Sequence, residues 1–412
     1  MRRLILFIAA TLVFQDAYSQ DVKWGSFSSP DNKLINGAGG NEQIMLSASC
    51  DWSLSSSEDW LIVSPAAGAK GNTLVTVTTS ENTSGFSRTG AIVVHPSGDT
   101  LTVTQYPYIY TREVAASGNV SNAVSVYYSL TEFTKIYTVL PVPQSCMYQD
   151  ISNFTSNGEV MRCRNNDNLY VVSDLTERDI PFSGGSVLSS SFDVTAYSVT
   201  ANLSIIDGFA EPDYDSEPYT KYLGDEKRGY ISPSNPIIKA VAQDLWDAAD
   251  GDLIDYARRC YVWTAVNMSY GNPYTDLHPI KELMRTKTGD CANYSSVFIS
   301  LLRAKDIPAR HIVMIEPNKA AKHVRAEFYL PGYGWIPCDP EMERHNPHLD
   351  TALLYFGRFT GKYVVLSLGI NSLVKTPTSA NYMIPLLQTY NYWCWYSIQG
   401  EYSFRHLFSP FE

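Results

Sequence analysis

The stretch Thr288-Gly289-Asp290-Cys291-Ala292-Asn293-Tyr294 decides the fold of the C-terminal half, because it joins a glycine turn to a helix. The helix is indicated by apolar residues at helical spacing, namely Val297, Phe298, Leu301 and Leu302. Cys291 stands at the helix start, where backbone N–H groups and partial positive charge favour thiolate over thiol. Since thiolate is the nucleophilic form, Cys291 is a candidate nucleophile, with an ordinary buried cysteine as the alternative.

Three strands are predicted after this helix, near Arg310 to Met314, from Val324 to Leu330 and from Trp335 to Cys338, and a Pro-Gly-Tyr-Gly turn joins the last two. His323 precedes the first strand of this joined pair and Asp339 follows the second. Antiparallel pairing across the short turn would make the two side chains neighbours at the open ends of the hairpin. A carboxylate beside an imidazole orients a general base. If the Cys291 helix packs on this sheet, a Cys–His–Asp triad results.

Upstream of Cys291 the chain is predicted to be helical. Ser234-Asn235-Pro236 has the capping residue and proline of a helix start, and a second helix is expected from Asp252 to about Met268. The tail, residues 351–412, is aromatic and β-leaning, and we interpret it as part of the same domain. The predicted C-terminal α+β domain therefore spans residues 231–412.

The first half of the chain reads as all-β. Residues 20–106 contain alternating runs such as Leu74 to Thr78 and Thr100 to Thr104, with glycine turns between them, which predicts a small β-sandwich. Residues 107–230 show further alternation, for example from Val124 to Leu130, and are predicted to form a second β-rich region. The fold class is therefore multidomain, with two β-rich parts before an α+β domain.

Residues 1–19 have the pattern of a secretory signal peptide. Arg2 and Arg3 precede an apolar run from Leu4 to Phe14, and Ala17-Tyr18-Ser19 supplies small residues for cleavage. No cysteine follows the run, which disfavours a lipoprotein anchor, and no later segment reaches the ~18 apolar residues of a membrane helix. We expect a secreted or periplasmic protein, with the cell surface as an alternative location, whose mature chain has no transmembrane segment.

The length of the chain predicts the number of domains, and its net charge disfavours one class of function. The chain has 412 residues and a net charge of -11, and only 18% of its residues are charged. The length predicts two to four domains, and the negative charge disfavours a nucleic-acid binder. The seven cysteines are widely spread, without CxxC or metal-ligand spacing, so neither a disulfide framework nor a metal site is predicted.

Two weaker patterns have plain alternatives. The acidic stretch from Glu211 to Glu217 could hold calcium, but it lacks the spacing of a calcium loop and is interpreted as a solvated linker. His345 and His348 could bind a metal, but the intervening proline favours a solvated loop. No metal or organic cofactor is expected.

Residues 286–340 resemble the core of the transglutaminase-like superfamily, a circularly permuted relative of papain-like cysteine proteases. The resemblance is carried by Gly289-Asp290-Cys291, by Leu301 to Ala304 with Ile307 to Arg310, and by the segments around His323, Gly334-Trp335 and Asp339-Pro340. It extends upstream to cover roughly residues 230–345. It implies a papain-like α+β domain with Cys291 as nucleophile, His323 as base and then acid, and Asp339 as the orienting carboxylate.

The same resemblance implies substrate contacts at Tyr270, Arg325 and Trp335. The family often reads His-Ala-Trp after the base, whereas this chain reads His323-Val324-Arg325. Arg325 is therefore expected to alter the cleft wall and the choice of substrate.

The implied chemistry is acyl transfer through a thioester, most simply by a cysteine peptidase or amidase acting on a peptide or glycoprotein. If an amine replaces water, the same site becomes a protein-glutamine cross-linking acyltransferase. A non-catalytic glycan- or protein-binding protein is the alternative of another class. Release of asparagine-linked glycans is a minor alternative.

The N-terminal β block resembles a BACON domain, an Ig-like family, over about residues 25–106. The resemblance is carried by Trp52, Asp59-Trp60-Leu61, Ser64-Pro65, Gly68, Asn82, Arg88 and Val103-Thr104-Gln105. It implies binding of carbohydrate or mucin glycan, although a spacer or targeting module is favoured. Trp60 is interpreted as a core residue rather than a sugar platform.

Overall fold

The structure is a computed structural model of the 412-residue chain. It describes residues 22–24, 32–35, 37–132, 135–176, 185–206, 208–271, 277–319, 321–349, 352–377, 379–395, 399–409 and 411. The predicted signal peptide, residues 1–19, lies outside the described residues. The chain divides into two compact units, Met1–Tyr108 and Ile109–Glu412.

The first unit is all-β among its described residues. Its strands are Val22–Trp24 (β1), Asn32–Ile35 (β2), Gly40–Ala48 (β3), Trp52–Ser56 (β4), Leu61–Ser64 (β5), Ala67–Gly68 (β6), Gly71–Thr79 (β7), Arg88–His95 (β8) and Thr100–Gln105 (β9). They form a four-stranded sheet, in the order β1-β3-β7-β5, and a five-stranded sheet, in the order β2-β9-β8-β4-β6. The predicted N-terminal β-sandwich is confirmed.

The core of this sandwich follows from alternation along the strands. From Val75 onward in β7, and along β9, buried residues alternate with half-buried or exposed ones. Trp52 is buried against Gly68, where an added Cβ would lie 2.4 Å from the indole ring, so only glycine fits there. Trp60 is half-buried against the same core, as interpreted from the sequence.

The second unit contains the remaining strands. They are Tyr110–Glu132 (β10), Lys135–Val142 (β11), Gln149–Ser156 (β12), Glu159–Arg162 (β13), Leu169–Thr176 (β14), Gly185–Ala201 (β15), Ser269–Tyr270 (β16), Thr288–Gly289 (β17), Ala309–Glu316 (β18), Ala321–Leu330 (β19), Gly334–Cys338 (β20), Arg358–Phe359 (β21), Val364–Leu368 (β22), Ser372–Thr376 (β23), Ser379–Ile384 (β24), Asn391–Trp395 (β25) and Gln399–Phe408 (β26). Its larger sheets have the orders β12-β15-β10-β26, with β21 on β15, then β13-β14-β11-β25, and β20-β19-β18-β22.

Strands that are distant in sequence pair within this unit. β10 pairs with β26, β11 with β25, and β15 with β21, so the segment before residue 230 shares its sheets with the C-terminal tail. The predicted boundary at residue 230 therefore falls inside one compact unit.

Helices occupy the middle of the second unit. They are Glu217–Lys221 (α1), Pro236–Ala248 (α2), Leu253–Asn267 (α3), Ile280–Thr286 (α4), Cys291–Arg303 (α5) and Pro340–Glu343 (α6). The side chains of Asn235 and Asp252 cap α2 and α3, which begin where the sequence predicts. Every residue of α5 after Cys291 is buried, and α5 packs on β18 and β19.

Two negative findings concern the described residues only. None of their helices is long and apolar enough to cross a membrane. The cysteines whose side chains are described form no disulfide; they are Cys50, Cys146, Cys163, Cys260, Cys291 and Cys338.

A buried histidine joins α5 to β18. His311 is 0% exposed, and its Nε2 lies 3.2 Å from the Ala292 carbonyl oxygen and 3.1 Å from Ser296 Oγ. Its Nδ1 is buried and has no hydrogen-bond partner among the described residues. Burial, reinforced by the charge of Arg303, lowers the pKa of His311 from 6.5 to about 3.

This histidine should make the fold sensitive to acid. The unfolded chain takes up the His311 proton near pH 6.5, whereas the folded chain does so only near pH 3. Its contribution to stability is therefore complete above pH 6.5 and falls by up to about 5 kcal/mol as the pH drops to 3. We expect His311→Gln to flatten the pH dependence of the free energy of unfolding in urea. The exposed His345→Gln should leave that slope unchanged, and equal slopes for all three proteins would contradict the expectation.

Candidate active site

Cys291 is the first residue of α5, and the segment before it fixes its place. Asp290 caps the helix, since its Oδ1 accepts hydrogen bonds from the Ala292 N–H at 3.1 Å and the Asn293 N–H at 3.2 Å. Gly289 must be glycine, because an added Cβ would lie 2.5 Å from the Cβ of Asn293. Cys291 itself is half-buried, unlike the rest of α5.

His323 and Asp339 meet across the hairpin of β19 and β20. The strands pair antiparallel, with Ala326 opposite Cys338. This pairing brings His323, on β19, close to Asp339, which follows β20, as predicted. His323 Nε2 lies 2.7 Å from Asp339 Oδ2. The imidazole is 9% exposed and the carboxylate is fully buried, so the pair is shielded from water.

The third member of the group is Cys291, at the start of α5. It is one of the groups that raise the pKa of His323. Because Asp339 engages Nε2, the ring nitrogen available to the thiol is Nδ1. Burial lowers the pKa of His323, but the Asp339 carboxylate and then Cys291 outweigh it and raise that pKa to about 10. The charged form of the imidazole is therefore the stable one in the resting site.

Asp339 is anchored on every side. Its Oδ1 accepts a hydrogen bond from the Met342 N–H at 3.2 Å, and its backbone carbonyl accepts one from the Tyr261 hydroxyl at 2.9 Å. Burial raises the pKa of Asp339, but the charges of His323 and Arg325 outweigh it and hold the pKa below its ordinary value. The carboxylate stays ionised although it is fully buried.

Residues far along the chain complete the surroundings of His323. Gln388 donates hydrogen bonds to the carbonyl oxygens of His323 at 3.0 Å and Met314 at 2.8 Å. The Tyr363 ring lies 5.9 Å from the imidazole, centroid to centroid. Sequence reasoning missed both residues, because no local pattern links the tail to the hairpin.

Tyr270 lies at this site, as the sequence suggested. β16 pairs in parallel with β17, which sets Tyr270 opposite Gly289. Its side chain is 54% exposed, and the Arg344 guanidinium stacks on its ring at 4.7 Å. Burial, followed by the charges of Cys291 and Glu341, raises the pKa of Tyr270. Tyr270 is therefore an exposed aromatic at the rim, beside the thiol.

Arg325 does not line the cleft, which corrects the expectation from the sequence. Its side chain is 2% exposed, and its Nε lies 2.7 Å from Asp339 Oδ2. The strand turns this residue inward against Asp339, so it cannot contact a substrate from the cleft wall.

Trp335 is not brought to this site either. It stands opposite Tyr329 at the turn end of the hairpin, away from the open end that holds His323 and Asp339. Its ring contacts Tyr222, with 5.5 Å between centroids, and the Arg310 guanidinium at 3.9 Å. Trp335 therefore packs within the domain instead of contacting the thiol site.

A group of potential metal ligands overlaps the site. Atoms of His323, Asp339 and Glu341 lie within 4.8 Å of one another. Each carboxylate already has a cation, because Arg325 Nε lies 2.7 Å from Asp339 and Arg344 Nε donates to Glu341 at 2.8 Å. These guanidinium groups already neutralise the two carboxylates that a metal ion would use as ligands.

The arrangement corresponds to a known superfamily. Residues 239–340 match the transglutaminase-like superfamily, and residues 51–106 match the BACON family, described as "Putative binding domain, N-terminal". Residues 239–340 are therefore similar to a transglutaminase-like core. Cys291, His323 and Asp339 all lie within the matched range, whereas Tyr363 and Gln388 lie after it.

Comparison with individual proteins gives more distant likenesses. An uncharacterized protein of Haemophilus influenzae is 37% identical over a stretch covering 12% of this chain, and this chain spans only 20% of that relative's length. A "putative cysteine protease" from Cytophaga hutchinsonii is 13% identical, with a TM-score of 0.47, over 73% of this chain and 92% of that one. The periplasmic domain of TgpA from Pseudomonas aeruginosa is 14% identical, with a TM-score of 0.31, over 60% of this chain and 98% of that one.

The helix cap before the thiol gives a prediction for the transglutaminase-like core. Asp290→Ala removes the acceptor of two helix-start N–H groups and should lower the free energy of unfolding by about 1 kcal/mol. Asp290→Ser keeps a capping oxygen and should recover most of that loss. Urea denaturation of the three proteins measures the difference. Equal stability of the alanine variant and the wild type would show that Asp290 is not a working cap.

Proposed function

We propose that this chain is an exported thiol hydrolase of peptide or other amide bonds. Its transglutaminase-like core belongs to a superfamily of thiol enzymes, which supports an acyl-transfer reaction. The proposal adds the roles of three residues: Cys291 as nucleophile, His323 as acid and base, and Asp339 as the orienting carboxylate.

The observation that carries the proposal is one imidazole that pairs with a carboxylate and is influenced by a thiol. His323 Nε2 lies 2.7 Å from Asp339 Oδ2, and Cys291 is among the groups that raise the pKa of the same ring. A protonated imidazole beside a helix-start thiol stabilises the thiolate. The nucleophile is thus prepared before any substrate binds.

Acylation uses each of these groups once. The Cys291 sulfur attacks the amide carbonyl carbon, and the C–N bond breaks as His323 gives its proton to the leaving amine. Asp290 occupies the Ala292 and Asn293 N–H groups, which leaves the Cys291 N–H as the helix-start donor for the oxyanion. The products are a free amine and a thioester on Cys291.

Deacylation returns the site to its starting state. His323, now neutral, takes a proton from water, and the hydroxyl oxygen attacks the thioester carbon. The C–S bond breaks, the acid leaves, and the thiolate–imidazolium pair is restored. With a primary amine in place of water the same steps would form a new amide, which is the cross-linking alternative.

The reactivity of Cys291 tests this proposal. An unpaired cysteine reacts with alkylating reagents as its thiol ionises, with a pKa of ~8.5. We expect Cys291 in the wild type to be alkylated by iodoacetamide at pH 6 at least about tenfold faster than in His323→Ala, because the imidazolium holds the thiolate. Mass spectrometry of the Cys291 peptide measures both rates.

Matched measurements define the outcomes. Half-buried Cys50 serves as an internal control and should react equally in both proteins. The wild type, but not Cys291→Ala, should release amines from a peptide library, and added primary amine should not replace water as the main acceptor. An inert Cys291, or one indifferent to His323, would favour a non-catalytic binding protein.

We further propose that the N-terminal unit binds glycan. The observation that supports this is Phe86, whose side chain is 70% exposed beside the loop that Asn82 and Ser84 hold through hydrogen bonds. An exposed aromatic ring can stack on a sugar. A large exposed aromatic is also found on surfaces without ligands.

A glycan array with the full-length protein tests whether Phe86 binds sugar or is a surface residue without a ligand. Phe86→Ala should reduce binding to mucin-type glycans at least about tenfold, on the scale of an aromatic stacking contact. Leu74→Ala, at another exposed apolar position of the same unit, is the matched control. Absence of binding by the wild type would favour a spacer.

A further inference from the structure

Arg325 has a place in the site that neither the sequence pattern nor the family resemblance supplies. It lies two residues after His323 on β19 and is 2% exposed. Its Nε lies 2.7 Å from Asp339 Oδ2, and His323 Nε2 lies 2.7 Å from that same oxygen. One carboxylate oxygen therefore serves two basic groups.

Two aromatic rings fix the guanidinium in this position. Its central carbon lies 4.8 Å from the ring centre of Phe359 and 4.9 Å from that of Tyr363. The Tyr363 ring also flanks the imidazole of His323. Stacking of this kind holds a planar cation and keeps water away from it.

Burying Arg325 at this position lowers stability, because two of its donor nitrogens lack hydrogen-bond acceptors in the described part of the chain. Nε and Nη1 are buried, and among the described residues neither has an acceptor in hydrogen-bonding geometry. Burying donors without aligned partners lowers stability. The compensating interaction is the charge attraction to Asp339, so Arg325 acts here through its charge more than through hydrogen bonds.

We infer that Arg325 is a positioning residue of the thiol site. Its guanidinium keeps Asp339 ionised and in place, and as a second cation on the same oxygen it limits how tightly that carboxylate holds the imidazolium. The consequence for catalysis rests on the proposed function, whereas the pairing itself is a property of the folded chain.

Arginine carries its charge at every accessible pH, whereas the other groups around the pair can titrate or are neutral. Those groups face His323 and Asp339 from several elements: Cys291 on α5, Tyr261 on α3, Cys338 on β20, Glu341 and Glu343 on α6, Tyr363 before β22, and exposed Lys322 beside His323. Arg325 is thus a constant positive charge among groups whose charge can change with pH. Removing it should make His323 bind its proton more tightly, because Asp339 would then interact with one cation instead of two.

The test is the imidazole titration of His323, followed by NMR in the full-length protein. Arg325→Met should raise the pKa of His323 by about one pH unit or more, the scale of one neighbouring charge. Arg325→Lys retains the charge and should keep that pKa close to the wild-type value. An unchanged pKa in a folded Arg325→Met protein would overturn the inference.

Arg310 provides a matched control on the neighbouring strand. Its side chain is 11% exposed and its Nε lies 2.6 Å from the buried Glu327, so Arg310→Met also removes an ion pair to a buried carboxylate. A clearly smaller change in the pKa of His323 is expected for this variant. An equal change would overturn the inference, because any buried arginine would then have the same effect.

A second variant applies if Arg325→Met does not fold. In His323→Gln the imidazolium is absent, and Arg325 is the remaining cation in contact with Asp339. Carboxyl NMR should show Asp339 still ionised at pH 5, whereas a protonated Asp339 at that pH would overturn the inference. The titrations do not require turnover, so an inactive wild type with the expected shifts would reject the proposed function alone.

Discussion

The buried carboxylate of Asp339 is the constraint on which the C-terminal half of the molecule depends. It contacts His323 and Arg325 with one oxygen and accepts the Met342 N–H with the other, while its backbone carbonyl accepts the Tyr261 hydroxyl. An isolated buried carboxylate would take up a proton instead of staying charged. The imidazole, the guanidinium and the start of α6 are therefore held together by the need to compensate one charge.

The same principle recurs along the hairpin. Glu327 is buried two residues after Arg325, on the same face of β19. It accepts hydrogen bonds from the Arg310 Nε at 2.6 Å and from the Tyr148 hydroxyl. Tyr148 belongs to the segment before residue 230 and stacks on Phe359 at 4.2 Å. The segment that contains Tyr148 thus packs against the hairpin of β19 and β20. This packing helps to hold residues on both sides of position 230 in one compact unit.

Local patterns were enough to predict the helix that begins at Cys291, the hairpin of β19 and β20, and the meeting of His323 with Asp339. Each of these depends on signals within a few residues, namely a capping aspartate, an apolar period or a short glycine turn. The expectation that Arg325 alters the cleft wall was wrong, because its side chain is buried against Asp339. Its aromatic partners come from residues 359 and 363, which no spacing connects to residue 325.

By itself the sequence determined the class of fold, the order of its β and α segments, and the three residue types that could form a thiol site. Those properties follow from short-range periodicity and from the chemistry of individual side chains. Only the tertiary structure decided what surrounds His323 and Asp339. Tyr363 and Gln388 from the tail contact His323, whereas Tyr261 from α3 and Arg325 from β19 contact Asp339. Burial and charge compensation depend on which distant segments pack together, and no pattern along the chain encodes that directly.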